Sequence, residues 1–256
     1  MSYSNIIIFK SLIAKETKRF MKVFNQTIIS PVITSMIFYM IFILAAGESR
    51  GAINGIKYQN YIGSGLIIMT MMQQAFSNTS SSITISKMNG AFVDYLITPI
   101  SPNNFINAFC TAATLRSMIV GGIIFSIMQY LLDFQIHNLL MLIFMSLLGS
   151  YLLSLLGLLA GFVSESFEQM TSFTTYFITP LSFLSGTFYS VKDLPSYLEK
   201  INYVNPFFYV IDLFRYSLTG QHESNMLIGI SFLTCFSLAL YLVAYIIIKT
   251  GYKVQS

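Results

Sequence analysis

The stretch that decides the fold is 138–162, NLLMLIFMSLLGSYLLSLLGLLAGF. It holds no charged residue. A helix rises about 1.5 Å per residue, so a run of this length covers the roughly 30 Å hydrocarbon core of a bilayer. Composition gives the same reading for the chain as a whole. Only 9% of the 256 residues are charged and 55% are hydrophobic, with a mean hydropathy of +0.68. Fourteen Lys and Arg with ten Asp and Glu cannot clothe a soluble domain of this size, for which about 25% charge is usual. Soluble enzymes, disordered chains and nucleic-acid-binding proteins are set aside on that ground.

Working outward from 138–162, five further runs are long and apolar enough to cross: 27–46, 60–82, 107–132, 171–189 and 226–248. Backbone in lipid must satisfy its own hydrogen bonds, so all six are expected as helices. The region ahead of the first run is different. Residues 5–22, NIIIFKSLIAKETKRFMK, set Ile6, Ile7, Phe9, Leu12, Ile13 and Phe20 among lysines at helical spacing. That suits an amphipathic helix lying in the cytoplasmic interface. A cleaved signal peptide would fit the small residues Ala45-Ala46-Gly47, but the apolar run exceeds the usual 7–15 residues. An uncleaved first span is expected.

The basic cluster Lys10, Lys15, Lys18, Arg19 and Lys22 precedes the first span and places the N-terminus inside. Six spans then return the C-terminus to the cytoplasm. Arg116 falls within the third run, where a charge is costly and often functional. Snorkelling to the cytoplasmic surface is the favoured reading for it, because that run exceeds one membrane thickness. Pro31 and Pro180 are expected to kink the first and fifth spans. Gly157 and Gly161 form a G-x-x-x-G, continued by Ser150 and Ser154, that lets a second helix approach within or between chains. Met69, Met71 and Met72 read as packing residues, and Cys110 and Cys235 as small buried ones.

Several chemistries are missing. No glycine is followed by lysine, so the chain carries no phosphate-binding P-loop. His137 and His222 stand apart with no cysteine pair nearby, so no metal site is expected. Gly63-Ser64-Gly65 lacks the context of a membrane serine protease.

Two connections are unusual. SKMNGAFVDYLITPISPNNF (86–105) is long for a cytoplasmic turn. Phe92, Val93, Leu96 and Ile97 share one helical face, and Thr98-Pro99 ends the helix. A short amphipathic helix over 86–98 is expected, with an ordinary interfacial loop as the alternative. On the other side, 190–220 is rich in Tyr and Phe, and Asn205-Pro206 starts a helix there. Phe207, Val210, Ile211, Phe214 and Leu218 recur at helical spacing, and Asp212 is placed to pair with Arg215. These helices are too short to span and return.

The order of these parts resembles the permease subunit of ABC-2 type ATP-binding cassette exporters, and of bacterial inner-membrane multidrug-type permeases in particular. Family members carry R-G-T-x-E-x-L-x-x-T-P-[IV] after the second span. Here Gly90, Leu96, Thr98 and Pro99 fit, Asn89 replaces the basic residue, and the acid falls at Asp94. Asn205-Pro206 followed by Tyr209 and Arg215 fits the family's outer motif. Thr179-Pro180-Leu181 and Ser185-Gly186-Thr187-Phe188-Tyr189 are also similar.

The resemblance implies a single ABC-2 type transmembrane domain over 1–256: an all-α membrane protein with six spans, an interfacial helix, a coupling helix and extracytoplasmic re-entrant helices. It implies a multi-pass homodimer in the bacterial inner membrane, not catalytic itself, working with two separate ATPase subunits that bind ATP and Mg. The ATPase-coupling residues would be Lys87, Gly90, Phe92, Asp94, Leu96 and Pro99, joined by Glu165 and Glu168 of the acidic inside loop. The pathway would be lined by Gln73, Gln74 and Asn78 of the second span and Thr175, Thr179 and Ser182 of the fifth. The substrate would be hydrophobic, drug-like, lipid or glycan. The competing reading is an ATP-independent secondary transporter or channel, which predicts internal repeats and midplane ionisable groups. Only Arg116 is a candidate of the latter kind.

Overall fold

The computed structural model describes residues 3–46, 51–98, 100–132 and 134–251. These are almost wholly helical, with one isolated antiparallel bridge between Ile53 and Ile56. Helix α1 (Tyr3–Lys22) is followed by a π-helical turn (Asn25–Ile29) that runs into α2 (Ser30–Ala46). Next come α3 (Tyr58–Met88), the short α4 (Phe92–Ile97), α5 (Pro102–Leu132) and α6 (Leu139–Val163). Helix α7 (Phe167–Phe173), a second π-helical turn (Thr174–Ile178) and α8 (Thr179–Leu184) form one continuous rod. Helices α9 (Ser196–Asn202), α10 (Pro206–Thr219) and α11 (Met226–Thr250) complete the chain.

Among the described residues, four segments are long and apolar enough to cross a membrane: Asn25–Ala45, Pro102–Leu132, Leu139–Val163 and Met226–Thr250. The 31-residue α3 equals α5 in length but is more polar, because Gln73, Gln74, Ser77, Asn78, Thr79 and Ser80 interrupt it. It is the axis of the fold, packed chiefly against α5 and α6. That packing buries Asn78, Thr79 and Ser80 and half-buries Gln73, Gln74 and Ser77.

The G-x-x-x-G works within the chain. A Cβ at Gly157 would stand 2.3 Å from the Phe76 carbonyl oxygen, and one at Gly161 would stand 2.7 Å from Ile83 Cβ. Thr79 then donates to the Ser154 carbonyl at 2.8 Å. Small residues on α6 thus let the backbone of α3 come near enough for a side chain to bond across. Met69, Met71 and Met72 are buried and pack the same core.

Both prolines expected to kink their helices follow a π-helical turn. Pro31 comes two residues after Ile29, and Pro180 two residues after Ile178. A proline ring clashes with the carbonyl four residues earlier and cannot donate. Here those carbonyls belong to Thr27 and Tyr176, both inside the widened turns, so the local extra residue absorbs the conflict.

The fifth expected span, 171–189, is displaced. The rod begins at Phe167 and stops at Leu184, where Gly186 (φ 76°) turns the chain. Residues 185–189, which the expected span included, belong to this turn, in which Thr187 and Ser185 bond back to Ser182 and Leu181. The expected helix over 86–98 is also divided. Helix α3 persists to Met88, and Gly90 (φ 70°) reverses the chain before α4 starts at Phe92. The Gly90 amide bonds the Lys87 carbonyl, closing α3 with a left-handed glycine.

Candidate functional site

Helix α4 and the 163–168 connection lie together at one end of the bundle. Lys87 joins them. Its ammonium donates to the carbonyls of Phe162 (2.8 Å) and Ser164 (3.0 Å) at the end of α6, where a cation is favoured by the helix dipole. Lys87 is therefore committed within the chain and is not the outward contact expected from its position.

Phe92 also points inward, against the expectation that it faces a partner. It is 4% exposed and lies 6.1 Å from both Phe105 and Phe162, with Tyr95 at 5.8 Å. Val93 and Ile97 take the outward positions, at 52% and 78% exposure. The expected apolar face is thus split, with Phe92 inward and Val93 and Ile97 outward, because α4 has a single turn and a half in which to bury the two aromatics Phe92 and Tyr95. Asp94 is exposed, Leu96 lies in α4, and Pro99 falls outside the described residues. Exposed Val163, Glu165, Phe167 and Glu168 continue the surface. Ser166 caps α7 by accepting from the Gln169 amide, and Gln169 accepts in return from the Glu165 amide, a reciprocal cap. Hydrogen bonds to its own backbone amide and then to the Ser166 hydroxyl hold the Glu168 carboxyl below the usual carboxylate range. The exposed residues of these two segments are thus apolar (Val93, Ile97, Val163, Phe167) and acidic (Asp94, Glu165, Glu168).

Helix α1 ties this end to the interior. Leu12, Glu16 and Phe20, four residues apart, are its buried stripe and meet α5. Lys15 donates to the Tyr95 hydroxyl of α4 at 2.7 Å. Arg19 pairs with Glu16 at 2.9 Å and donates to the backbone and side-chain oxygens of Asn78. Sequence reading took Arg19 only as a topogenic charge and passed over Glu16; the clue was an acid buried in an otherwise basic helix.

Arg116 does not snorkel. It is 5% exposed and donates to Thr27 O (3.3 Å), Asn78 Oδ1 (3.4 Å) and Gln74 Oε1 (2.5 Å). Three nearby acceptors on α2's π-turn and α3 hold it, so it has no need to reach the interface. Asn78 is accordingly fully buried rather than lining a pathway. Ser182 is buried as well, donating to the Ile178 carbonyl. Gln73, Gln74 and Thr179 are half-buried and Thr175 is exposed; these remain on the outside of the bundle.

At the opposite end α10 is buried almost throughout, against α3, α6 and α11. Asn205 caps it by accepting from the Phe207 amide and donates to Ser185 Oγ at 2.7 Å, while Pro206 takes the first helical position. Tyr209 packs against Phe232 and donates to the Tyr203 carbonyl. Asp212 and Arg215 do not pair with each other. Asp212 accepts from the amides of Glu223 and Ser224. Arg215 stacks 3.6 Å over the Tyr61 ring and donates to the Gly186 carbonyl. Glu223 closes the outer end by accepting from Asn54, Tyr61 and the Val191 amide. The outer motif is thus a clasp between loops. Cys110 is buried as expected, whereas Cys235 is exposed on α11. Among the described residues no cluster of three metal-ligating side chains occurs.

Comparison with known proteins matches residues 8–219 to the model of the ABC-2 type transporter family. The chain is 30% identical, over 98% of both lengths, to the inner membrane transport permease YadH of Escherichia coli K12. It is 23% identical to nodulation protein J of Rhizobium leguminosarum over 79% of each chain. The Sinorhizobium fredii nodulation protein J is 21% identical over 75% of this chain and 73% of its own.

Proposed function

The chain belongs to the ABC-2 type transporter family, and from that premise we propose that it is the transmembrane permease subunit of an ATP-driven exporter in the bacterial inner membrane. It supplies the path; a separate ATPase, in two copies, binds ATP and Mg. Six crossings with both termini cytoplasmic suit this reading, with α3 and the α7–α8 rod added to the four apolar spans. The re-entrant segment is then α9 and α10.

The observation that carries the proposal is the surface made by α4 and residues 163–168. It exposes Ile97 at 78%, Val93 at 52% and Phe167 at 47%, beside Asp94, Glu165 and Glu168. A water-facing end has no use for large exposed aliphatics, and a soluble partner does. The mounting of α4 through Phe92 and Tyr95 suits an element that transmits force. ATP-bound and ATP-free partners need only differ in affinity for two permease conformations to drive transport.

The substrate path is proposed between two copies of the chain. Gln73, Gln74 and Thr175 are polar residues on the outside of a membrane bundle, where lipid disfavours them. A facing copy or a hydrated pathway accounts for them. The test is co-purification in detergent with a P-loop ATPase co-expressed from the neighbouring reading frame, followed by ATP-dependent transport in vesicles. A stable assembly with coupled hydrolysis is expected. A permease that moves substrate down an ion gradient with no ATPase bound contradicts the proposal.

A further inference from the structure

We infer that Arg116 is the recognition point for the anionic head group of an amphiphilic cargo that enters along α3. This rests on the proposed transport path and names the chemistry that path accepts.

The argument begins with charge. Arg19, Glu16 and Arg116 meet around Asn78, giving two guanidiniums and one carboxylate. Glu16 belongs to Arg19, the one ion pair among the described residues. Arg116 is held by a backbone carbonyl and two neutral amides. The site therefore keeps one uncompensated positive charge in a buried place. A charge within a membrane bundle is costly and calls for a counter-charge. Amides hold a guanidinium without neutralising it.

Access comes next. Gln74 is half-buried, and so are Gln73, Ser77 and Ser81, which share a face of α3 by helical spacing. This polar stripe leads along the helix to the Gln74 amide, behind which the guanidinium lies. A phosphate or carboxylate accepts more strongly from a guanidinium than an amide does, and bidentately. It would exchange with Gln74 Oε1 without breaking the bonds to Asn78 and Thr27. Asn78 Nδ2 is buried with no partner and offers the arriving anion a further donor. The apolar part of the cargo stays in the membrane.

The test uses the full chain in phosphatidylcholine nanodiscs, with dodecyl phosphate and dodecyltrimethylammonium as probes of equal tail. Direct binding measurements are expected to favour the phosphate about tenfold, equivalent to about 1.4 kcal/mol. Arg116→Gln is expected to erase that preference. Gln74→Ala, which removes the competing acceptor, is expected to tighten phosphate binding. Equal binding of the two probes, a preference surviving in Arg116→Gln, or phosphate binding unchanged or weakened in Gln74→Ala overturns the inference. The last holds even if Arg116→Gln fails to fold. Loss of the phosphate signal when the nanodiscs contain phosphatidylglycerol makes bilayer lipid the ligand and overturns the cargo assignment. No ATPase is present, so these outcomes are independent of whether the chain couples to one.

Discussion

Asn78 Oδ1 lies 3.0 Å from Arg19 Nη2 and 3.4 Å from Arg116 Nη1. One neutral side chain thus holds guanidiniums from two helices, α1 and α5, against a third. The N-terminal helix is fastened to the bundle by this contact, not merely laid against it.

Replacing Asn78 exposes what that contact is worth. Asn78→Ala leaves two guanidiniums without their shared acceptor, and each lost bond to a charged group costs about 1.5–3 kcal/mol. Thermal unfolding in detergent should show a clear drop. Asn78→Asp restores an acceptor and adds the missing negative charge, so it should unfold at or above the wild-type temperature. Equal loss in both variants would mean that size, not charge, matters at 78.

Phe92 and Ile97 should separate folding from docking. Phe92→Ala removes a ring from the aromatic cluster and is expected to destabilise the permease by about 3–5 kcal/mol. Ile97→Asp alters an exposed residue and should leave thermal stability within about 0.5 kcal/mol, while abolishing co-purification with the ATPase. An unfolded Ile97→Asp would place that residue in the core.

The contact between α3 and α6 is intolerant of bulk. Gly157→Leu forces atoms into the Phe76 carbonyl, and overpacking costs about 1–3 kcal/mol or more. Reduced expression and an early unfolding transition are expected. A normal transition would show that the two helices are not in this register.

The outer clasp depends on the shape of Arg215, not only its charge. Arg215→Lys keeps the charge but loses the planar stack on Tyr61 and the fixed bond to Gly186. Faster proteolysis of the 185–192 connection is expected, with the cytoplasmic ATPase still bound. Unchanged cleavage would mean that Asp212 and Glu223 hold the clasp alone.

Much of this was legible in the sequence. Long apolar runs in α2, α5, α6 and α11 have no competing reading, because only a bilayer accepts them. Gly157 and Gly161 announced a close helix contact, though not its partner. What stayed hidden was direction. Within α4 the pattern of Phe92, Val93, Leu96 and Ile97 is short enough to fit two faces, and only the aromatic cluster from α5 and α6 chooses between them. Arg116 was visible as a charge, but its acceptors lie 38 to 89 residues away, beyond any local pattern. Asp212 and Arg215 have the spacing of a pair, yet each is claimed by a distant loop with better geometry.

The central claim is that α4 faces the ATPase. Cross-linking tests it directly, in the assembled complex, from single cysteines placed at two exposed sites after Cys110→Ser and Cys235→Ser have removed the native thiols. Ile97→Cys should cross-link to the ATPase subunit through a short bifunctional reagent, and Tyr130→Cys, 91% exposed at the far end of α5, should not. Cross-links from Tyr130→Cys and none from Ile97→Cys would contradict the account.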